Sequence, residues 1–232
     1  MVGGSKRPQR CRGHPRRSGH DVTPARAKVP EYPPAPLTLN SSHIRSFHGL
    51  LWRIYNTKGR YPQRWDEMRH HGPVGRMRFD PHPSPMGFHP DHSVMYSALK
   101  SDTAFAEVFY QKANINRRLN GATLVSWLPT RELQLLDLTT TWPVQNGASA
   151  TLMMGAKKHT RNWAHEIHQQ LGSQIDGLYH LSSITSEPMV TLFTRAEDSF
   201  PGYPSVQTRL DDAGANMYVA RAAKRFEYRV TR

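Results

Sequence analysis

Six prolines, Pro62, Pro73, Pro81, Pro83, Pro85 and Pro90, fall within residues 56–92. A proline removes a backbone donor and fixes φ, so neither a helix interior nor a central strand can run through this stretch. The chain must therefore build its regular structure from short segments on either side and carry a long loop between them. A loop of that length inside a compact domain tends to carry function.

The flanking segments are short and apolar. Leu50–Tyr55 and Val94–Ala98 are rich in β-formers and predict strands. Ser101 or Asp102 is placed to cap a following helix running to about Ala113, with Ala104, Phe105, Val108 and Phe109 as its buried stripe and Glu107 off that stripe. Ala122–Pro129 and Glu132–Leu138 predict strands flanking a Pro129-Thr130 turn. Thr160–Leu171 is amphipathic: Trp163, Ala164, Ile167 and Leu171 share a face, and Gly172 can end the helix. Leu178–Ser182 and Met189–Thr194 predict strands around a Ser186-Glu187-Pro188 turn. Val206–Leu210 and Phe226–Val230 predict two more. Strands outnumber helices without regular βαβ alternation, which indicates an α+β fold.

The 232 residues suffice for one sizeable core with a tail. Residues 1–37 are rich in Pro, Arg, Gly and Ser and poor in large apolar side chains, so they are expected to be disordered. This gives a basic tail over 1–40 and a single domain over 41–232. The net charge is +13, and Lys6, Arg7, Arg10, Arg12, Arg16, Arg17, Arg26 and Lys28 concentrate much of it in the tail. That segment is either a solvated tail or an arm for nucleic acid or another partner. A charge of this size points to an anionic partner: nucleic acid, an acidic protein or a phosphorylated small molecule. The single cysteine, Cys11, allows no internal disulfide and suits a reducing compartment. No apolar run approaches membrane-spanning length, and no apolar segment follows the basic N-terminus as in a secretory signal. A cytoplasmic protein without membrane association is expected.

Several polar residues are set within these apolar runs. Arg53 shares a strand face with Leu51 and Tyr55. A guanidinium so placed needs an anionic or multi-acceptor partner, and its fork suits phosphate. It is either such a ligand, an arginine on a solvated face, or one paired with a structural carboxylate. Arg76 and Arg78 stand in a basic loop ahead of a strand and compete as a second phosphate ligand. Tyr96 is either a core tyrosine or a stacking surface. Glu107 is either an exposed helix residue or a catalytic carboxylate. Ser182 and Ser183 occupy opposite faces of a strand. No Gly-x-Ser-x-Gly elbow is present, and neither a P-loop nor Gly-x-Gly-x-x-Gly precedes a helix. His82, His89 and His92 cluster in the proline-rich loop, but their spacing fits no zinc signature, and no metal is expected.

Arg53, Glu107 and Ser182, in that order and in these local frames, resemble the RES domain family, named for arginine, glutamate and serine. The resemblance covers roughly Leu50 to Arg195. Arg78-Phe79-Asp80-Pro81 is similar to a family segment at this place, and Asp176-Gly177-Leu178 leads into Ser182 as the family pattern does. The resemblance implies an ADP-ribosyltransferase-like split core of two small antiparallel sheets with flanking helices. It also implies an NAD-degrading toxin acting by hydrolysis or phosphorolysis, held inactive by a cognate antitoxin and able to form homo-oligomers. NAD is then a substrate bound in the cleft. Arg53 and Arg78 would hold the phosphates, Tyr96 would stack, Glu107 would act on the ribose, and Ser182 would position the nicotinamide side. Two other readings stay open: ADP-ribosyl transfer to a macromolecule, and a non-enzymatic basic protein that binds nucleic acid.

Overall fold

A computed structural model of the chain describes Met1 and residues 27–232. Most of the expected tail, residues 2–26 with Cys11, lies outside the described residues.

The domain opens with β1 (Ile44–Phe47) and β2 (Leu51–Asn56). The proline-rich stretch contributes only β3 (His71–Gly72) and β4 (Gly87–Phe88), which pair with each other. β5 (Val94–Ala98) leads into helix α1 (Ser101–Phe109). β6 (Asn114–Asn116), β7 (Ala122–Trp127) and β8 (Leu133–Asp137) follow. The one-turn α2 (Trp142–Gln145) and the longer α3 (Lys157–Leu171) precede β9 (Gly177–Leu181), β10 (Pro188–Phe193) and β11 (Val206–Arg209). Helix α4 (Asn216–Phe226) and β12 (Arg229–Thr231) come last.

Eight strands form one sheet in the order β1-β8-β9-β10-β5-β2-β7-β11. The α+β class holds. The expected split core is seen as two halves of this sheet that meet at a narrow join. β2 and β5 meet at a single residue pair, Trp52 opposite Ala98, whereas β2 and β7 share a full ladder from Leu51 to Asn56. Beyond that pair the strands diverge, because the returning proline loop takes the place of β2. Arg69 and Val94 exchange both backbone hydrogen bonds at 3.0 Å, occupying the β5 edge there.

Side-chain alternation assigns each face its cover. On one face Leu136, Leu178 and Phe193 pack under Trp163 and Ile167 of α3. Trp52, Ile54 and Leu124 of the same face pack under Phe105 and Phe109 of α1 and Val219 of α4. On the other face Leu51, Met95, Trp127, Leu135 and Leu192 pack with Trp65, Met68 and Phe200 from loops.

The structure departs from expectation in four places. Residues 28–40 belong to the packed domain. Their carbonyls are satisfied by side-chain donors: Trp163 Nε1 to Pro30 O at 2.9 Å and Trp142 Nε1 to Thr38 O at 2.8 Å. Val29, Leu37 and Leu39 pack against the α3 core. A segment too poor in apolar residues to fold alone is thus ordered by a finished surface. Helix α1 starts from an uncapped Lys100 rather than a Ser101 or Asp102 cap. Asp102 instead forms an ion pair with Arg221 of α4 at 2.8 Å. Val108 is exposed, since α1 buries Phe105 and Phe109 and turns its Glu107 side toward β9. Residues 216–226, most of which received no assignment from the sequence, form α4, and Phe226 ends that helix rather than starting a strand.

Candidate functional site

Helix α1 buries Phe105 and Phe109 in the sheet, which leaves Glu107 directed at the chain as it leaves β9. That chain turns sharply. Ser182 N donates to Glu187 O at 2.8 Å and Ser186 N to Ser182 O at 3.0 Å. Inside the turn the Ser182 hydroxyl accepts from the amides of Ile184 at 3.0 Å and Thr185 at 3.1 Å. Its own proton is donated to Glu107 Oε1 at 2.6 Å. With two donors already on the oxygen, the hydroxyl cannot reverse this bond. Ser182 is buried, whereas Ser183 is exposed and makes no such contact.

Glu107 carries opposed influences. Burial pushes its carboxyl up, while the Ser182 hydrogen bond and the charges of Arg78 and Lys157 pull it down, and burial prevails. The group therefore stands above the ordinary glutamate range while remaining held by a donor and two cations.

Arg78-Phe79-Asp80 divides three tasks. Asp80 is fully buried and anchors the loop, accepting from Arg69 at 2.9 Å, the Val74 amide at 2.8 Å and His82 Nδ1 at 2.5 Å. Burial alone would raise its carboxyl, but these partners outweigh that and hold it at about 2. Phe79 adopts a positive φ of 51° and sinks into the α3 core, its ring 4.9 Å from that of His180. Arg78 is left free to donate to Gly155 O, just ahead of α3, with its charge felt at Glu107. Arg76 is exposed.

Tyr96 lies opposite Thr191 on the sheet face covered by α1 and α3. Its hydroxyl is buried and makes no hydrogen bond among the described residues. Burial, with the nearby Asp80 charge, pushes its pKa up. Thr191 in turn is held by His180 at 2.9 Å. His180 Nδ1 must donate to the Leu181 carbonyl at 3.2 Å, so Nε2 accepts from the Thr191 hydroxyl. Burial depresses this imidazole to about 4 and keeps it neutral.

Four of the five residues singled out in the sequence, Arg78, Tyr96, Glu107 and Ser182, thus lie on one side of the sheet. Arg53 does not join them. It faces the other side with Leu51 and Tyr55, where its guanidinium donates to Gln63 Oε1 at 2.6 Å and Glu67 O at 3.2 Å. Burial lowers its pKa to about 10. Its acceptors come from the proline-rich loop, whose path was not legible.

Three neighbours were missed. Lys157 opens α3, whose N-terminus has no side-chain cap, and its charge, like that of Arg78, is felt at Glu107. His180 precedes Ser182 by two positions, a strand spacing that could have marked it. Tyr228 follows α4, and its phenol is pushed up by burial and then by the charge of Glu107. The site is a buried carboxylate set in cationic surroundings. It can hold a doubly charged anion on the Arg78–Lys157 side while presenting a carboxylate to a developing cation.

His82, His89, His92, His165 and His168 form a separate cluster, with the His92 and His168 rings 4.4 Å apart. Burial, then its neighbouring histidines, depresses His168 to about 4. Among the described residues no group of three His, Cys, Asp or Glu is placed to hold a metal ion. No helix among them is long and apolar enough to cross a membrane.

A family model described as RES domain matches residues 50–217. No curated protein matches the chain. Among solved structures, a chain of the crystal structure of the M. tuberculosis MbcT-MbcA toxin-antitoxin complex is similar, with a TM-score of 0.53 at 13% sequence identity. The likeness covers 78% of this chain and 92% of that one, and at this identity it concerns the fold.

Proposed function

The chain belongs to the RES domain family, and from that premise we propose that it cleaves the nicotinamide–ribose bond of NAD. The observation that carries this reading is the Ser182–Glu107 hydrogen bond of 2.6 Å, which fixes a carboxylate beside two cations.

NAD presents a diphosphate and a positively charged nicotinamide on one ribose carbon. Arg78, Lys157 and the open N-terminus of α3 suit the diphosphate. Glu107 then faces the ribose. As the carbon–nitrogen bond breaks, its electron pair leaves with nicotinamide, which becomes neutral and needs no proton. Positive charge moves onto the ribose carbon and ring oxygen, as in glycoside cleavage. The carboxylate stabilises that charge and accepts a hydrogen bond from a ribose hydroxyl. Ser182 holds the carboxylate in place and favours its ionised form. Water, losing a proton, gives ADP-ribose; phosphate gives the 1-phosphate of ADP-ribose. Tyr96 contributes a flat wall beside His180 and Thr191. Arg53, on the far side of the sheet seam, shapes the loop that carries Arg69.

In the cell such an activity is that of a toxin, restrained by an antitoxin that covers the cleft. The structural likeness to the M. tuberculosis complex supports this arrangement. The test is chromatography of NAD incubated with purified protein, with and without inorganic phosphate. Nicotinamide with ADP-ribose identifies hydrolysis, and a phosphate-dependent product identifies phosphorolysis. Intact NAD in both conditions, with label from NAD appearing on protein or nucleic acid, would overturn the reading in favour of ADP-ribosyl transfer.

A further inference from the structure

Residues Lys28–Glu31 run as an irregular, bent segment against the start of α3, outside the family match at 50–217. Each of the four is tied down. Lys28 O accepts from the Ser149 amide at 2.7 Å, Val29 O from His159 Nδ1 at 3.0 Å and Pro30 O from Trp163 Nε1 at 2.9 Å. Glu31 O accepts from Asn162 Nδ2 at 3.2 Å, and the Glu31 carboxylate pairs with Lys158 at 2.6 Å.

Val29 is central to this contact. A Cβ placed on Gly155 would lie 3.1 Å from Val29 Cγ1 and 3.1 Å from the Leu152 carbonyl oxygen. Gly155 is the residue whose carbonyl accepts from Arg78, and it stands two positions ahead of Lys157. Val29 also packs against the core cluster that contains Phe79, the neighbour of Arg78. One side chain thus lies against Gly155, whose carbonyl receives the Arg78 guanidinium, and against the core cluster that holds Phe79, the residue after Arg78.

We infer that Lys28–Glu31 is a positioning strap, in which Val29 wedges Gly155 and so holds Arg78 and the start of α3 in the geometry that binds a diphosphate. The inference deepens the reading of function above, on which the choice of NAD as substrate rests. The strap touches the anion side of the site and not the Glu107–Ser182 pair, so it governs binding more than the chemical step.

The experiment measures calorimetric binding of inorganic diphosphate and, beside it, NAD turnover, for the full chain and its variants. Val29→Ala weakens diphosphate binding and raises the KM for NAD about five- to tenfold with kcat within about twofold, the pattern of lost ground-state binding. Val29→Ile restores both, and every variant keeps the melting temperature of the wild type within a few degrees. Gly155→Ala alone weakens binding through its crowded methyl, and in the double variant with Val29→Ala the losses are less than additive, since truncating Val29 relieves one of the two close contacts of that methyl. Diphosphate binding without NAD turnover in the wild type sinks the NAD reading and leaves the strap standing. Binding unaffected by Val29→Ala, a loss in kcat alone, strictly additive losses in the double variant, or no diphosphate binding by the wild type would overturn the strap.

Discussion

Glu107 carries a conflict between folding and chemistry. Its carboxyl stands above the ordinary range because burial disfavours the charge. A group raised in the folded state stabilises the fold below its unfolded value and loses that contribution as pH rises through the folded value. At pH 7 the charged group therefore costs stability. Glu107→Gln keeps an oxygen acceptor for Ser182 and removes the charge. The expected result is a melting temperature about 2–4 °C higher at pH 7, converging with the wild type near pH 4, from the usual relation between free energy and Tm. Calorimetry across pH checks this. Ser182→Ala acts in the opposite sense on the chemistry. It removes the hydrogen bond that favours the carboxylate, so the acid limb of the pH–rate profile moves to higher pH. Turnover falls about 10- to 100-fold, the scale of losing one positioned donor. At this scale the sequence was informative where a residue sits inside or just at the end of a short regular segment, as Tyr96, Glu107 and Ser182 do. For Arg53 it gave the strand face but not the partners, because the acceptors Gln63 and Glu67 come from a loop with no periodicity to read.

Among the elements, the proline-rich loop decides whether Arg78 can reach the site at all. Its geometry hangs on Asp80, buried with three partners. Asp80→Asn is expected to cost about 3–5 kcal/mol at pH 7, as for breaking a buried, hydrogen-bonded ion pair. Urea unfolding measures it. The carboxyl is held down at about 2, so its contribution is present above the ordinary aspartate value and fades as pH falls from about 4 towards 2. The gap between wild type and variant closes in that window. Strands β2, β5, β7, β8, β9 and β10 and helices α1 and α3 were legible because apolar runs and helical periodicity mark them. Helix α4 was not: its Arg221 and Arg225 pair with Asp102 and Glu187 from distant elements, and that pairing is invisible in local sequence.

The whole molecule is a mostly antiparallel sheet with a seam at Trp52–Ala98, cationic side chains on one side of it and a strap from the N-terminal flank behind them. The α+β class followed from element order. That the two halves of the core touch did not, since the contact is one residue pair. Nor did the ordering of residues 28–40, which depends on tryptophans supplied by α2 and α3. The proposed capture of NAD is expected to depend on salt, since ions screen long-range charge. Raising ionic strength from about 0.1 M to 1 M shortens the screening length from about 10 Å to about 3 Å. The KM for NAD is expected to rise over that range, with a shallower rise in Arg78→Gln, as steady-state kinetics at graded salt will measure. The central claim is that this buried carboxylate breaks the nicotinamide–ribose bond. The most direct measurement is nicotinamide release from NAD by purified wild-type protein beside Glu107→Gln at equal concentration. The account predicts release by the wild type and a loss of about a hundredfold or more in the variant, the scale expected for an electrostatic catalyst. Equal release by both proteins, or none from a folded wild type, would contradict it.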